Sequence, residues 1–321
     1  MINTIIHIGR HKTGTTALQN YLYDNRDDLE DKGFYYLSGY RREKAHHLLS
    51  EYLASASFKA LNEEDKNIEL QKIQHNIIDE VNDNTDGTKT IIISSEAFQN
   101  VIPRYLKAIF HPNVFSVQIV SYFREQVGYT ASSYNQEIHA KIVDLDLDNF
   151  ITRFNADYNT FMESWSRNFT HIYVGIFDRE KLFNGDIVDD FLKKLLNIDL
   201  VNMNKSYFNP SLSQKYLAFK LQYNRKVIKE ELPHLIGPGK IYTLLGFFSK
   251  HEKGAKFMLN CKQRQVIIEK YEESNRIFLS KYCEDSEFHY SVCADSKLTL
   301  QISEKEFWSI YEKIDTHQWP I

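Results

Sequence analysis

The sequence predicts an α/β fold: a P-loop-like, three-layer arrangement with a central parallel sheet, flanking helices and a helical C-terminal section. Three observations carry the prediction. Short β-branched runs alternate with helix-period segments over the first 200 residues, as in strand–helix–strand units. The first strand runs straight into a loop bearing Gly9 and Gly14 that opens a helix. From about residue 210 strand-like runs give way to helical segments.

Residues 2–9 read as a buried strand stopped by Gly9, and 10–14 as loop. Residues 15–30 read as helix, with Ala17, Leu18, Tyr21, Leu22 and Leu29 at helical spacing. Gly33 ends that unit and 34–37 form a second strand. Residues 44–83 are mostly helical, with Leu48, Leu49, Tyr52 and Leu53 on one stripe. Residues 90–98 are a strand with a polar tip, 99–110 a helix, 114–124 a strand, and 125–141 a helix despite Gly128. A helical stretch at 148–168, a strand at 171–178 and an amphipathic helix at 186–198 follow. Later helices are expected at 211–227 and 261–283, separated by a Gly-, Pro- and Lys-containing stretch at 236–257. No repeat, low-complexity tract or flexible linker divides the chain. The expectation is a single domain over 1–321, with a sheet-containing core at 1–200 and a mainly helical section at 201–321.

Composition excludes several classes. Apolar residues are 42% and charged residues 26%, which describes a globular rather than a disordered chain. A net charge of -4 offers no broad basic field for nucleic acid. No apolar run approaches the ~20 residues that span a bilayer. The opening MINTIIHIGRHK breaks its apolar run at His7 and lacks the form of an export signal. Cys261, Cys283 and Cys293 are few, odd in number and form no C-x-x-C pair, so neither a disulfide framework nor a zinc site is expected. These features lead to the expectation of a cytoplasmic enzyme with reduced thiols.

The strongest local signal is Ile8-Gly9-Arg10-His11-Lys12-Thr13-Gly14-Thr15-Thr16-Ala17-Leu18. Unsatisfied N–H groups and the dipole at a helix N-terminus favour an anion. Glycines let the backbone approach closely, Lys12 adds a charge, and Thr13, Thr15 and Thr16 add hydroxyls. The bland alternative is a strand–turn–helix whose threonines only cap the helix. A nucleoside-triphosphate loop reads G-x-x-x-x-G-K-[ST]. Gly9 and Gly14 have its spacing, but Thr15 stands where its lysine belongs and Lys12 lies inside the loop.

His11-Lys12-Thr13-Gly14-Thr15-Thr16 resembles the 5′-phosphosulfate loop of sulfotransferases that use 3′-phosphoadenosine 5′-phosphosulfate (PAPS). With Ala17-Leu18-Gln19 following, it looks more like the carbohydrate and bacterial branch than the cytosolic branch, which usually carries Trp after the hydroxyl pair. The resemblance implies that residues 10–16 and Lys12 bind the donor. It also implies an arginine at the end of a central strand and a serine eight residues on, holding the 3′-phosphate. Ser121-Tyr122-Phe123-Arg124 and Ser132 match that pattern, with Ser133 a neighbouring alternative. Arginine can grip a phosphate with two hydrogen bonds, and strand C-terminal ends are where open α/β sheets bind ligands. Taken alone, such an arginine is more often a surface charge. Segments 177–182, 209–212 and 271–276 are similar to bacterial members in a diffuse way, so the resemblance is firm over about 1–140 and softer beyond.

The reaction so implied moves a sulfuryl group from PAPS to a hydroxyl or amine of a sugar, glycolipid or polysaccharide, with a general base and no metal. Lys12 is expected to stabilise charge on the bridging oxygen. Glu96, at the polar tip of the 90–98 strand, is the first candidate base. Relatives of the cytosolic branch end that strand in Lys-x-His. The plain alternative is a helix-start glutamate completing a cap on Ser94 or Ser95. His46 and His47 are the second candidates, and one of them is expected to face the core. Arg41, Arg42 and Lys44 are candidate acceptor contacts or simply a solvated basic loop. Stretches 237–240 and 250–254 are candidates to close over the donor, without assigned residues. A P-loop kinase and a non-catalytic nucleotide-binding relative are the alternative functions.

Overall fold

The computed structural model describes residues 1–85, 89–198, 211–252, 254–283, 287–291, 293 and 300–317. The chain divides into two compact units, each assembled from three segments. The first comprises Met1–Arg124, Asp157–Phe208 and Glu273–His289. The second comprises Glu125–Ala156, Asn209–Glu272 and Tyr290–Ile321.

The first unit is built on a five-stranded parallel sheet: β1 (Ile2–His7), β2 (Phe34–Tyr36), β3 (Thr90–Ser94), β4 (Phe115–Phe123) and β5 (His171–Ile176), in the order β2-β3-β1-β4-β5. β1 pairs with β3 through Thr4↔Ile91 to His7↔Ser94, and with β4 through Ile2↔Phe115 to His7↔Val120. A strand paired on both edges and covered on both faces must be apolar almost throughout. Ile6, Ile91, Ile92, Ile93, Ile119 and Val120 are all fully buried. The order matters for the site. Chain connections leave β1 toward one edge of the sheet and β4 toward the other, which opens a crevice between their C-terminal ends.

Among the described residues, the helices of this unit begin with α1 (Thr15–Asp24) and α2 (Arg26–Glu30), then α3 (His47–Ala54), α4 (Ala56–Ala60), α5 (Glu63–Asn84) and α6 (Pro103–Ile109). The second unit then contributes α7 (Gln126–Ala140) and α8 (Leu147–Arg153), and the first unit resumes with α9 (Tyr158–Ser166) and α10 (Ile187–Leu195). α1 and α10 pack Leu18, Tyr21, Leu22, Ile187, Val188 and Phe191 against Ile5, Val120 and Tyr122 of the sheet. Alternate residues of a strand face opposite sides, and Phe123 packs instead at steep ring angles against Tyr158, Phe161 and Phe278.

The second unit is helical, with α7, α8, α11 (Gln214–Ile228), α12 (Pro238–His251) and α14 (Glu304–Thr316); α13 (Cys261–Tyr282) begins in it and ends in the first.

Several local expectations are corrected. The helix expected over 15–30 breaks at Asn25, whose Nδ2 donates to the Tyr21 carbonyl. The 99–110 helix starts only at Pro103, after a 3-10 turn at Glu96–Asn100. The 148–168 stretch is two helices. Leu48 of the expected α3 stripe is 47% exposed, whereas Leu49 and Leu53 are buried. The stretch around 236–257 contains α12, because Pro238 at the first helical position carries a preset φ and no N–H to strand. Residues 209, 210 and 253, within segments singled out above, lie outside the described residues. Cys261 and Cys293 form a disulfide, contrary to expectation. A bridge spanning 32 residues leaves no local spacing signature. Cys283 is free and buried, and burial pushes its thiol up to about 12. The cysteines therefore no longer argue for a reducing compartment. No helix among the described residues is long and apolar enough to cross a membrane.

Candidate functional site

The loop after β1 is built by backbone conformation. Gly9 and Gly14 adopt left-handed φ of 53° and 78°, and Lys12 joins them at 66°. A β-carbon on Gly9 would stand 2.8 Å from Glu96 Cα, and one on Gly14 2.8 Å from Phe177 Cε2. Each glycine is therefore required by conformation and by close approach. Lys12 has no such freedom, and its conformation costs about 1–2 kcal/mol. The loop sustains it with a brace: Thr13 Oγ1 donates to the Arg10 carbonyl at 2.7 Å. Thr13 is fully buried and its hydroxyl proton is used there, so it is a brace where a ligand-donating hydroxyl had been expected. Thr15 is buried and Thr16 is exposed. Gly14 is the N-cap of α1 and supplies no side-chain cap, so the helix opens on the loop without a capping hydroxyl.

Arg10 is buried, with its guanidinium 4.5 Å from the Phe161 ring centroid and 5.5 Å from that of Tyr158. The Tyr158 hydroxyl donates to the Arg124 carbonyl at 2.7 Å, which ties α9 to the end of β4. Lys12 lies in the loop after β1 and Arg124 directly follows β4, so both belong to the C-terminal end of this strand pair. Partial burial lowers the Lys12 pKa; Glu96 works against this, and the nearby Arg124 charge lowers it further. His11 is open to solvent on one side, but the protein around it lowers its pKa, chiefly by desolvation, with Arg10, Lys12 and His47 adding to the effect against Glu96. Ser132 lies midway along α7 in the second unit, partly exposed.

The polar tip after β3 carries Glu96. Its Oε2 accepts from Gln19 Nε2 at 2.7 Å and its Oε1 lies 3.9 Å from His47 Nε2. Burial works to raise the Glu96 pKa, but the Gln19 hydrogen bond and the His47 and His11 charges outweigh it and hold the carboxyl below its ordinary value. The capping alternative is resolved in detail: Ser95 caps the 3-10 turn through Ala97 N, and the Glu96 carboxylate is turned to Gln19 and His47 instead. His47, the first residue of α3, has Nδ1 2.9 Å from Ser95 Oγ, which is 2.9 Å from Ser50 Oγ.

His46 does not join them. It is fully buried, with Nε2 2.8 Å from the Leu37 carbonyl and Nδ1 accepting from Ser94 N at 3.1 Å. Burial pushes its pKa down to about 4. It pins the 42–47 segment to β2 and β3, and its candidacy as a base is corrected on that ground. His46 is the N-cap of α3 and enters the core, while His47, the first helical residue, is partly exposed.

Glu96 and His47 stand in the wall of a cleft of about 560 Å³. One side is the α1 face Thr16, Gln19, Asn20 and Tyr23, and the other is Arg42 to Ala45. Arg42 makes a two-pronged pair with Glu51, and Lys44 pairs with Asp24 at 2.6 Å. Arg41 stacks on Tyr23 instead, 5.0 Å from its centroid. Lys240, in one of the stretches considered as a lid, donates to the Asp315 carbonyl within the second unit.

Sequence reasoning missed Gln19, Ser95 as the support of His47, and His7. The signal for Gln19 was its place one helical turn beyond Thr16 on a polar face. His7 is fully buried at the end of β1, with Nδ1 2.8 Å from Ser94 Oγ, and Nε2 finds no hydrogen-bond partner among the described residues. A histidine directly after the apolar pair Ile5-Ile6 at the end of the strand was the available clue. Comparison with family models and with curated proteins gives no match to this chain.

Proposed function

We propose that this chain is a PAPS-dependent sulfotransferase acting on a hydroxyl or amine of a carbohydrate-type acceptor. The observation that supports the reading is that Lys12 and Arg124, 112 positions apart in sequence, follow the C-terminal ends of adjacent parallel strands, close enough for the Arg124 charge to lower the Lys12 pKa. A nucleotide with phosphate groups on both its 5′ and 3′ sides needs two cationic grips of this kind. The left-handed loop and the uncapped start of α1 suit the 5′ side, since backbone N–H groups at a helix N-terminus attract an anion. Arg124 serves the 3′ side. Ser132 is carried by the sequence pattern alone.

PAPS supplies the sulfuryl group: the acceptor oxygen or nitrogen bonds to sulfur as the sulfur–oxygen bond to the 5′-phosphate breaks, and adenosine 3′,5′-bisphosphate leaves. Lys12 stabilises the charge that grows on the departing oxygen. Glu96, ionised and lining the cleft, takes the acceptor proton, with His47 beside it. The cleft holds amide, hydroxyl and aromatic side chains, the mixture that recognises a polyhydroxylated ligand.

Calorimetry with adenosine 3′,5′-bisphosphate in the presence of EDTA tests the reading. Binding by the wild type, lost in Lys12→Ala and Arg124→Ala, is expected. Absence of binding by a folded wild type overturns it. Transfer from radiolabelled PAPS to a panel of glycans is expected to fall about 10²–10⁴-fold in Glu96→Gln with bisphosphate binding retained.

A further inference from the structure

Resting on the sulfuryl-transfer reading, the geometry points to Gln19 as a positioning residue that holds the Glu96 carboxylate in its proton-accepting orientation beside His47. Gln19 is 4% exposed. A carboxylate can only accept, so the Gln19 amide nitrogen must face it, and it does so at 2.7 Å. That bond occupies Oε2 and leaves Oε1 directed at His47 Nε2, 3.9 Å away. His47 Nδ1 is held by Ser95 Oγ at 2.9 Å, and Ser95 Oγ is in turn 2.9 Å from Ser50 Oγ. Both members of the pair that lines the cleft are therefore held by neighbouring polar side chains.

The placement of Gln19 couples two parts of the site. α1 begins at Thr15, directly after the loop, and Gln19 stands about one turn further along the same helix. A rigid element thus sets the distance between the loop and the base. The close approach of Gly9 to Glu96 fixes the same pair of elements from the other end. A flexible base would need ordering in each turnover, and a hydrogen bond from a buried amide removes that cost before the acceptor arrives.

The test reads Glu96 directly and needs no identified acceptor. Carboxyl NMR of glutamate-labelled protein, with Glu96 assigned through Glu96→Gln, gives its titration midpoint. Gln19→Met, which keeps the volume and removes the amide, is expected to raise that midpoint by about one pH unit. The acid limb of bisphosphate release from PAPS, with water as the nucleophile and sulfate the other product, is expected to move up by the same amount with KM for PAPS unchanged. An unmoved midpoint or an unmoved limb in folded Gln19→Met overturns the assignment. Should that variant not fold, the wild-type Gln19 side-chain ¹⁵N signal replaces it. A signal that titrates in step with Glu96 supports the assignment, and one flat through the Glu96 midpoint overturns it. Failure of the wild type to bind the bisphosphate is a separate result, and it refutes sulfuryl transfer whatever the titration shows.

Discussion

Gly9→Ala tests how tightly the loop is seated on the Glu96 turn. Gly9 has φ of 53°, and a β-carbon there would meet Glu96 Cα at 2.8 Å, Glu96 Cβ at 2.9 Å and Thr15 Cγ2 at 3.1 Å. A left-handed alanine costs about 1–2 kcal/mol, and forcing a methyl group into packed backbone adds about 1–3 kcal/mol. The Glu96 backbone has little room to yield, because Ser95 N donates to the His7 carbonyl at 3.1 Å. Gly33 supplies the control. Its φ is 86°, but nothing lies within 4 Å of the added carbon. Gly33→Ala is thus expected to cost about 1–2 kcal/mol, and Gly9→Ala about 2–5 kcal/mol. Urea unfolding followed by circular dichroism measures both. Bisphosphate affinity is expected to fall about tenfold or more in Gly9→Ala, since small misplacements of a binding group are costly, and to hold in Gly33→Ala. If Gly9→Ala proves no more destabilised than Gly33→Ala, the close contact does not exist and the reasoning fails.

Burial holds His7 and His46 neutral, with pKa values of about 4 against an ordinary 6.5. Between those limits the unfolded chain binds more protons, so stability rises with pH there and is lost as pH falls from 6.5 toward 4, by up to about 3 kcal/mol per histidine; urea midpoints that do not change between pH 7 and pH 5 would falsify this. Asp190 is fully buried and accepts from Tyr122 and Tyr173 hydroxyls at 3.0 and 3.2 Å and from Phe183 N at 2.8 Å, and it pairs with Lys194 at 2.5 Å. Asp190→Ala strands these donors and is expected to cost about 3–5 kcal/mol in thermal or urea unfolding; a loss below 1 kcal/mol counts against the network. The Cys261–Cys293 bridge closes a 32-residue span, so Cys261→Ser is expected to destabilise the oxidised protein by roughly 3–4 kcal/mol on chain-entropy grounds. Intact-mass measurement before and after reduction checks that the bridge forms, and an unchanged mass refutes it.

Much of the sheet was legible because a strand buried on both faces has to be β-branched and short. The central runs at Ile2–His7 and Thr90–Ser94 are of that kind, while Phe115–Phe123 and the half-exposed edge strand His171–Ile176 were legible from their β-branched and aromatic content. The loop was legible because glycines at positions 9 and 14 around a lysine have few uses besides close backbone approach. Helix boundaries were less legible. Asn25 ends α1 through its own side chain, and Pro238 starts a helix in the Gly-, Pro- and Lys-containing stretch that was expected only to separate two helices.

The amino-acid order by itself determined the strand–helix alternation, the anion-suited loop after β1 and the arginine closing β4, since each rests on local backbone preference or near-neighbour spacing. Only the tertiary structure decided that His46 is a core residue while His47 lines the cleft, that Thr13 braces the loop, that Gln19 reaches Glu96 across 77 positions and that Cys261 finds Cys293. Those outcomes depend on which elements the sheet order makes neighbours. Partner choice for a polar side chain is set by distance in space and by the cost of burying it unsatisfied, and neither can be read from the separation of residues along the chain.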